Sequence, residues 1–479
     1  MKSICLDPSD NVGTLARAAA LGETVDGIAT KNPIPRGHKM ATADIASGQA
    51  IRKYAQVIGY ANGDIKSGEH VHTHNVIFQN TEQEYEFGTD LRSVAEAASA
   101  DTFMGFRRAN GSVGTRNYIA ILTSVNCSAT AARKIADAFG PDELAAYPNV
   151  DGVVAFVHGT GCGMAGDGEG FDALQRVMWG YARHPNNAAV LMVGLGCEMN
   201  QIDWLLDAYG LEQGPLFQTM NIQDVAGLRR TIESGIAKVK AMLPEVNKFE
   251  REPCPASELK LALQCGGSDA WSGITANPAL GHACDLLVAQ GGTGVLAETP
   301  EIYGAEHLLT RRAVDQAVGN KLIGLVDWWQ DYTARNRGSM DNNPSPGNKK
   351  GGLTTILEKS LGAAAKGGTT PLMGVYKYAE PVKSNGFVFM DSPGYDPASV
   401  TGQIASGCNL VAFTTGRGSA FGSKPAPCIK IATNTEMYGR MEEDMDVNAG
   451  TMLTDGVTLE EKAKTAPELA GALEKFKGI

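Results

Sequence analysis

Residues 117–125 read NYIAILTSV, and the same texture returns as DGVVAFV at 151–157 and AAVLMVGLG at 188–196. Helical patterns fall between and after these apolar runs. One helix is expected near 129–138, others over FDALQRVMWGYARH (171–184) and QIDWLLDAYG (201–210), and a long one from about 226 to 244. Short apolar runs alternating with amphipathic helices specify an α/β unit with a mostly parallel sheet. The pattern pauses at EREPCPASE (250–258) and resumes with LKLALQC (259–265), GTGVLAE (292–298), FVFMDSP (387–393) and NLVAFTTG (409–416). The expected fold class is therefore α/β, with a first unit over 101–250 and a second over 251–479, both Rossmann-like with mostly parallel sheets.

Residues 1–76 differ. Turn signals at Asp10-Asn11, Pro35-Arg36-Gly37, Ala61-Asn62-Gly63-Asp64 and Ser67-Gly68 separate short candidate strands, which reads as a small β-rich domain. Residues 77–100, with TEQEYEFGTD and an Ala-rich run, carry no strong apolar stripe and read as a linker. No internal repeat or long low-complexity tract stands out.

The chain has 479 residues, 43% apolar and 20% charged, enough to bury several cores. Its net charge of −11 argues against a nucleic-acid partner, and an anionic substrate would need local Arg and Lys. No apolar run approaches the ~18 residues of a membrane span, and the first residues lack a signal-like apolar core. No membrane partner is expected, and the expected location is the cytoplasm. Nine widely spread cysteines read as thiols or metal ligands, not as a disulfide framework.

Four of those cysteines, Cys127, Cys162, Cys197 and Cys265, each follow a predicted strand. Ligands in open α/β sheets bind outside the carboxyl ends of strands. The four thiols converge there or act as small apolar fillers, and spacing alone leaves both open. In HVHTH (70–74), an extended backbone would put His70, His72 and His74 on one face, suited to a borderline metal or merely lining a solvated edge. His158, before the GTGCG turn, is by itself a structural hydrogen bonder. NPSPGNKKGG (343–352) and FTTGRGSAFG (413–422) offer backbone N–H groups with Lys349, Lys350 and Arg417, suited to carboxylate or phosphate oxygens. Neither matches a P-loop. QCGGSDAWSGITANP (264–278) is too polar and Gly-rich for an element interior.

Taken together, FRRANGSVGTRN, GTGCG, GLGCE, QCGGSDAWSGITANP, NPSPGNKKGG, TTGRG and VNAG resemble the altronate/galactarate dehydratase family over nearly the whole chain. PRGHKMATADI and VIGYANGDIKSGEHVHTHN resemble the SAF-type domain of such enzymes, which makes the β-rich domain SAF-like. The resemblance implies a cytoplasmic hydro-lyase that dehydrates sugar acids to 2-keto-3-deoxy acids with Fe²⁺ or Mn²⁺. An iron–sulfur cluster is the alternative cofactor. The implied partner is a small anionic sugar acid, with a homodimer left open.

That chemistry removes a weakly acidic C2 proton beside a carboxylate and expels the C3 hydroxyl, so it needs a cation, a base and an acid. On this basis His72, His74, Cys127, Cys162 and Cys265 are the metal candidates. His158, Lys349 and Glu301 are the acid–base candidates, with Glu198 beside them. Arg116, Arg417 and Lys349 would hold the carboxylate. Ser268, Asp269, Ser272, Thr275, Asn277 and Asn348 would read sugar hydroxyls. EIYGAEHLL and HVHTHN lean towards the altronate branch, while TSVNC and NPSPGNKKGG sit close to the galactarate pattern. No extra cation for a second carboxylate can be assigned, so D-altronate is the expected substrate, with galactarate or another small anionic 2-hydroxy acid, such as a sulfonated one, as alternatives. A non-catalytic metal- or sugar-acid-binding protein is the reading outside enzymes.

Overall fold

Tyr118–Thr123, the strand at the heart of NYIAILTSV, lies inside a four-stranded sheet in the order Gly152–Phe156, Tyr118–Thr123, Asn187–Gly194, Phe217–Asn221. All pairings are parallel. Tyr118–Thr123 is buried along its whole length because helices cover both faces. Ala129–Ala136 and Leu228–Val246 close one face around Ile119, Ile121 and Leu191. Glu169–Ala182 and Ile202–Tyr209 close the other around Ala120, Leu122 and Met192.

The computed structural model describes residues 3–455 except 81, 82, 95, 96 and 98, together with 458. The tail of the expected second unit and those five positions of the expected linker lie outside the described residues.

The second unit is a seven-stranded parallel sheet. Its order is Leu372–Tyr376, Gly386–Met390, Thr293–Leu296, Lys260–Cys265, Leu410–Thr415, Cys428–Ala432, Val447–Asn448. After Lys260–Cys265 the chain winds to one side, and it later returns to the other with Leu410–Thr415. The carboxyl end of Lys260–Cys265 is thus a topological switch point, where a crevice opens. Tyr118–Thr123 plays the same part in the first sheet.

Two helices pack between the sheets. A Cβ on Gly180, near the end of Glu169–Ala182, would sit 2.3 Å from the carbonyl of Ala405, at the end of Asp396–Ala405. Four residues earlier, Arg176 donates to the carbonyl of Tyr378, whose hydroxyl reaches Ala398. The helices run side by side in one direction, so the carboxyl ends of both sheets open to the same side. Thr102–Arg107 pairs with Val113–Gly114 and with Glu252–Pro255, tying the two units together across residue 250.

The N-terminal domain is a β-rich module. Ser3–Ile4, Val12–Leu15, Lys39–Ala41 and His70–Val71 form one antiparallel sheet, and Ala50–Lys53, Gln56–Ala61 and Val76–Ile77 another. Its core residues Val12, Ile51, Ile58 and Val71 pack with Ala305, Leu361 and Ala364 of the second unit. The polar stretch that follows lies along the same unit: Tyr85 donates to Glu306, and the Asp90 N–H to the Arg311 carbonyl. Among the described residues no helix is long and apolar enough to cross a membrane.

Candidate active site

QCGGSDAWSGITANP forms the crevice floor where Lys260–Cys265 ends. Gly267 takes a φ of +61°, a backbone that glycine adopts cheaply, and its carbonyl accepts the Arg417 N–H at 2.7 Å. A Cβ on Gly416 would meet Asp269 Cγ at 2.1 Å, so only glycine lets TTGRG lie against this loop.

Of the side chains expected to read sugar hydroxyls, Asp269, Ser272, Thr275 and Asn277 bond within the protein instead. The Asp269 carboxylate accepts from the backbone N–H of Trp271 and Ser272, the Thr433 hydroxyl and the Asn434 amide. Ser272 Oγ accepts the Asp269 N–H, and Thr275 donates to the carbonyls of Trp271 and Thr433. Asn277 bridges the Gly362 carbonyl and the Thr414 hydroxyl. The Ser268 carbonyl accepts from Asn348, whose own oxygen caps the turn at Ser345. A buried polar group needs a partner, and here the protein supplies it.

Beside this floor lies a cluster of charges. Lys366 donates to Cys265 Sγ at 3.0 Å, and Lys359 and Asn343 bind Glu301 Oε1 at 2.5 and 2.8 Å. Burial pushes Glu301 up, but Lys359 and Lys366 outweigh it and hold Glu301 below the usual carboxylate range. Glu298 sits in left-handed backbone (φ +72°), fully buried, with both carboxylate oxygens unpartnered. Burial, then the neighbouring Glu301, raise its pKa well above normal. Asp396, first in its helix, is half-buried, and its Oδ2 would lie 2.4 Å from a Cβ on Gly266. Burial and Glu301 push Asp396 up to about 6.

A third group comes from the N-terminal module. Donor atoms of His38, His70 and His72 lie within 4.8 Å of one another. His38 Nδ1 is 2.9 Å from His70 Nε2, and His38 Nε2 is 3.3 Å from the Lys350 carbonyl. His72 Nδ1 is buried without a partner. Burial depresses all three, His70 to about 4 and His72 to about 3, so the imidazoles are neutral. Gly37, next to His38, packs on the Gly351 carbonyl, and a Cβ on Gly351 would meet Arg417 Cδ at 3.2 Å. The histidines, the Lys349–Lys350 turn and Arg417 thus adjoin.

The comparisons with known proteins agree along the chain. Residues 1–79 match the altronate/galactarate dehydratase SAF domain, 105–247 the second domain of D-galactarate dehydratase/altronate hydrolase, and 256–473 the D-galactarate/altronate dehydratase C-terminal domain. Altronate dehydratase of Bacillus subtilis is 37% identical over 466 residues, 95% of this chain and 92% of the relative. The chain belongs to the D-galactarate/altronate dehydratase family. Altronate dehydratase of Escherichia coli is 37% identical over 458 residues, 95% of this chain and 91% of that one. The L-threo-forming galactarate dehydratase of Escherichia coli is 38% identical over 445 residues, 91% and 85% of the two chains. Membership makes the chain an enzyme of the hydro-lyase class.

Within this dehydratase the remaining expected site residues scatter. Arg417 and Lys349 stand at the crevice. Cys265 lies there too, but its donor neighbours are Glu298 and Glu301, not histidines, and Lys366 already occupies the thiol. His74 is exposed, because the backbone turns at His72, with the Asn75 N–H bonded to the His72 carbonyl, but its ring centroid stays 5.3 Å from that of His70, at the rim of the trio. Arg116 precedes Tyr118 and so stands at the amino end of the first sheet, away from the crevice. His158 has both ring nitrogens engaged: Nε2 donates to the Thr123 carbonyl at 2.8 Å and Nδ1 accepts the Thr160 N–H, which leaves it no basic site. Glu198 clasps its own turn, accepting from Ser124, Leu195 and Gly196. Cys127 and Cys162 end strands of the first sheet and are exposed.

Sequence reasoning missed His38, Glu298, Asp396, Lys359 and Lys366. Two carried a signal. Glu298 ends GTGVLAE and Asp396 follows FVFMDSP, both just past predicted strands.

Proposed function

We propose that this enzyme dehydrates a sugar acid, D-altronate ahead of D-galactarate, to the 2-keto-3-deoxy acid, with Fe²⁺ or Mn²⁺ held by His38, His70 and His72. The observation that carries this reading is the trio of neutral imidazoles, one with an orphaned buried nitrogen, set against the Lys349–Gly352 turn and Arg417. Three imidazoles suit a borderline divalent ion. Such an ion supplies Lewis-acid stabilisation to the substrate carboxylate as the C2 proton leaves.

The chain's own residues do the rest. Arg417 and the Lys349–Lys350 turn take the carboxylate through charge-assisted hydrogen bonds. Asp396, at the edge of the floor, takes the C2 proton. The Lys349 ammonium protonates the departing C3 hydroxyl. Support for an aldonate comes from the buried cations on this side of the molecule, which already have partners: Lys359 holds Glu301, Lys39 and Lys53 hold Glu358, and Lys366 donates to the Cys265 thiol. Arg417 and the two turn lysines cluster at one end, which favours one carboxylate over two, since an unpaired buried carboxylate is costly.

Under matched anaerobic, Fe²⁺-loaded conditions, altronate should show the higher kcat/KM. A clear preference for galactarate would overturn the substrate choice and leave the dehydration intact. Chelation should abolish turnover, and Fe²⁺ or Mn²⁺ should restore it. His72→Ala should lower bound metal with little change in the unfolding midpoint, because the α/β cores do not depend on the ion. Full activity in rigorously metal-free protein would sink the metal assignment.

A further inference from the structure

Cys127, Cys162 and Cys197 play no part in the crevice of the second sheet. All three are exposed, whereas Cys254, Cys265, Cys284, Cys408 and Cys428 are buried. Each of the three stands just past the carboxyl end of one of three adjacent parallel strands, with Tyr118–Thr123 in the middle. This is the switch point of the first sheet, and it opens to the same side as that of the second.

The three cysteine loops are knitted together without using the thiols. The Asn126 N–H bonds to the Thr160 carbonyl at 2.9 Å, and the Asn200 N–H to the Gly161 carbonyl at 3.1 Å. Asn200 Nδ2 donates to the Ser124 carbonyl at 2.9 Å. Gly161 has φ +97°, and a Cβ there would sit 2.3 Å from the Ser124 carbonyl, so the Cys162 loop lies flat on the Cys127 loop. Glu198 draws Ser124 to the Leu195–Gly196 turn, which fixes the Cys197 loop against the same centre. The fourth strand's loop adds Gln223, whose amide donates to Cys197 Sγ at 3.2 Å. An N–H bond to sulfur is one of the means by which proteins tune sulfur-ligated iron.

We propose that Cys127, Cys162 and Cys197 bind a [4Fe–4S] cluster, a second iron site separate from the histidine trio. A single ion with bonds of about 2.3 Å would draw its sulfurs to about 3.8 Å from one another. Among the described residues, the three thiols are not a donor group within 4.8 Å of one another. A cuboidal cluster takes each thiolate on a different iron and so bridges a wider gap. Each thiol releases its proton to solvent on coordination. Such clusters commonly have four cysteine ligands. With three, one iron keeps a position for water or a substrate oxygen on the side where both crevices open.

The test does not require turnover and so stands apart from the dehydratase reading. Full-length protein is purified anaerobically and reconstituted with ferrous iron and sulfide. The expected result is broad visible absorbance that air bleaches, with about four acid-labile sulfides per chain. Cys127→Ser, Cys162→Ser and Cys197→Ser should each lose the band and the sulfide while keeping the wild-type circular dichroism. Cys5→Ser and His72→Ala should keep both. Absence of acid-labile sulfide, retention of the band in all three cysteine variants, or a single zinc ion on the trio would each overturn the proposal.

Discussion

Asp396→Asn should lower kcat/KM by about 10²–10⁴-fold, the usual contribution of a general base, and should erase the acid limb of the pH profile. Asp396 opens the helix Asp396–Ala405 beside Gly266, at the carboxyl end of the central strand. Burial first, then the Glu301 carboxylate, lift its pKa to about 6, while Lys359 and Lys366 pull it back. Glu298 also faces it. In the wild type, kcat/KM should therefore fall as pH drops through about 6, where the base becomes protonated. The stability effect has the opposite sign. A carboxyl whose folded pKa lies above its unfolded value favours folding at low pH, and that contribution is lost as pH rises through about 6. At pH 7 the asparagine variant should consequently be at least as stable as the wild type. A variant that keeps both its rate and its acid limb would remove Asp396 from the reaction.

Glu358→Ala should cost about 3–5 kcal/mol of folding stability, the range for removing one partner of a buried ion pair. Glu358 is fully buried and receives Lys39 at 2.8 Å and Lys53 at 2.9 Å, both from the N-terminal module. Thr354 adds its N–H and hydroxyl. Removing the carboxylate strands two ammonium groups in the interface between the module and the second unit. The lysines hold Glu358 far below the usual carboxylate range despite its burial. Its contribution is thus complete above the unfolded carboxylate value and is withdrawn only as pH falls below it. Denaturant unfolding measures the loss, and hydrogen exchange should locate it in the module. A cost under about 1 kcal/mol, typical of an exposed pair, would contradict the assignment. Replacing Lys39, Lys53 and Glu358 together by methionine should recover much of the loss, since an apolar cluster leaves no charge unpaired. Lys39 also adjoins His38 and donates to the Gly352 carbonyl, so the single variant should loosen the histidine trio as well.

The α/β architecture was legible in NYIAILTSV, DGVVAFV, AAVLMVGLG and LKLALQC because strand burial and helix amphipathicity are written in short-range periodicity. The same alternation placed Cys127, Cys162, Cys197 and Cys265 at strand ends. It could not say that the first three sit on adjacent strands with Tyr118–Thr123 in the middle, since strand order depends on which edges pair. The polar loop at 264–278 was legible as a loop at the end of a strand, but Asp269, Ser272, Thr275 and Asn277 turned out to bond within the protein. A sequence shows a polar atom without its partner, and Thr433, Asn434 and Gly362 arrive from distant segments. HVHTH announced histidines. Only a turn at His72 and a strand pairing that sets Met40 opposite His70 brought in His38 and sent His74 to solvent. Lys39 and Glu358 lie 319 residues apart, and neither alone has a pattern that predicts a buried charge. What the sequence by itself determined was the elements and the ends of strands where chemistry could collect. Which charges meet, which are neutralised and which remain to act was decided by tertiary structure, because burial and pairing are properties of contacts between segments.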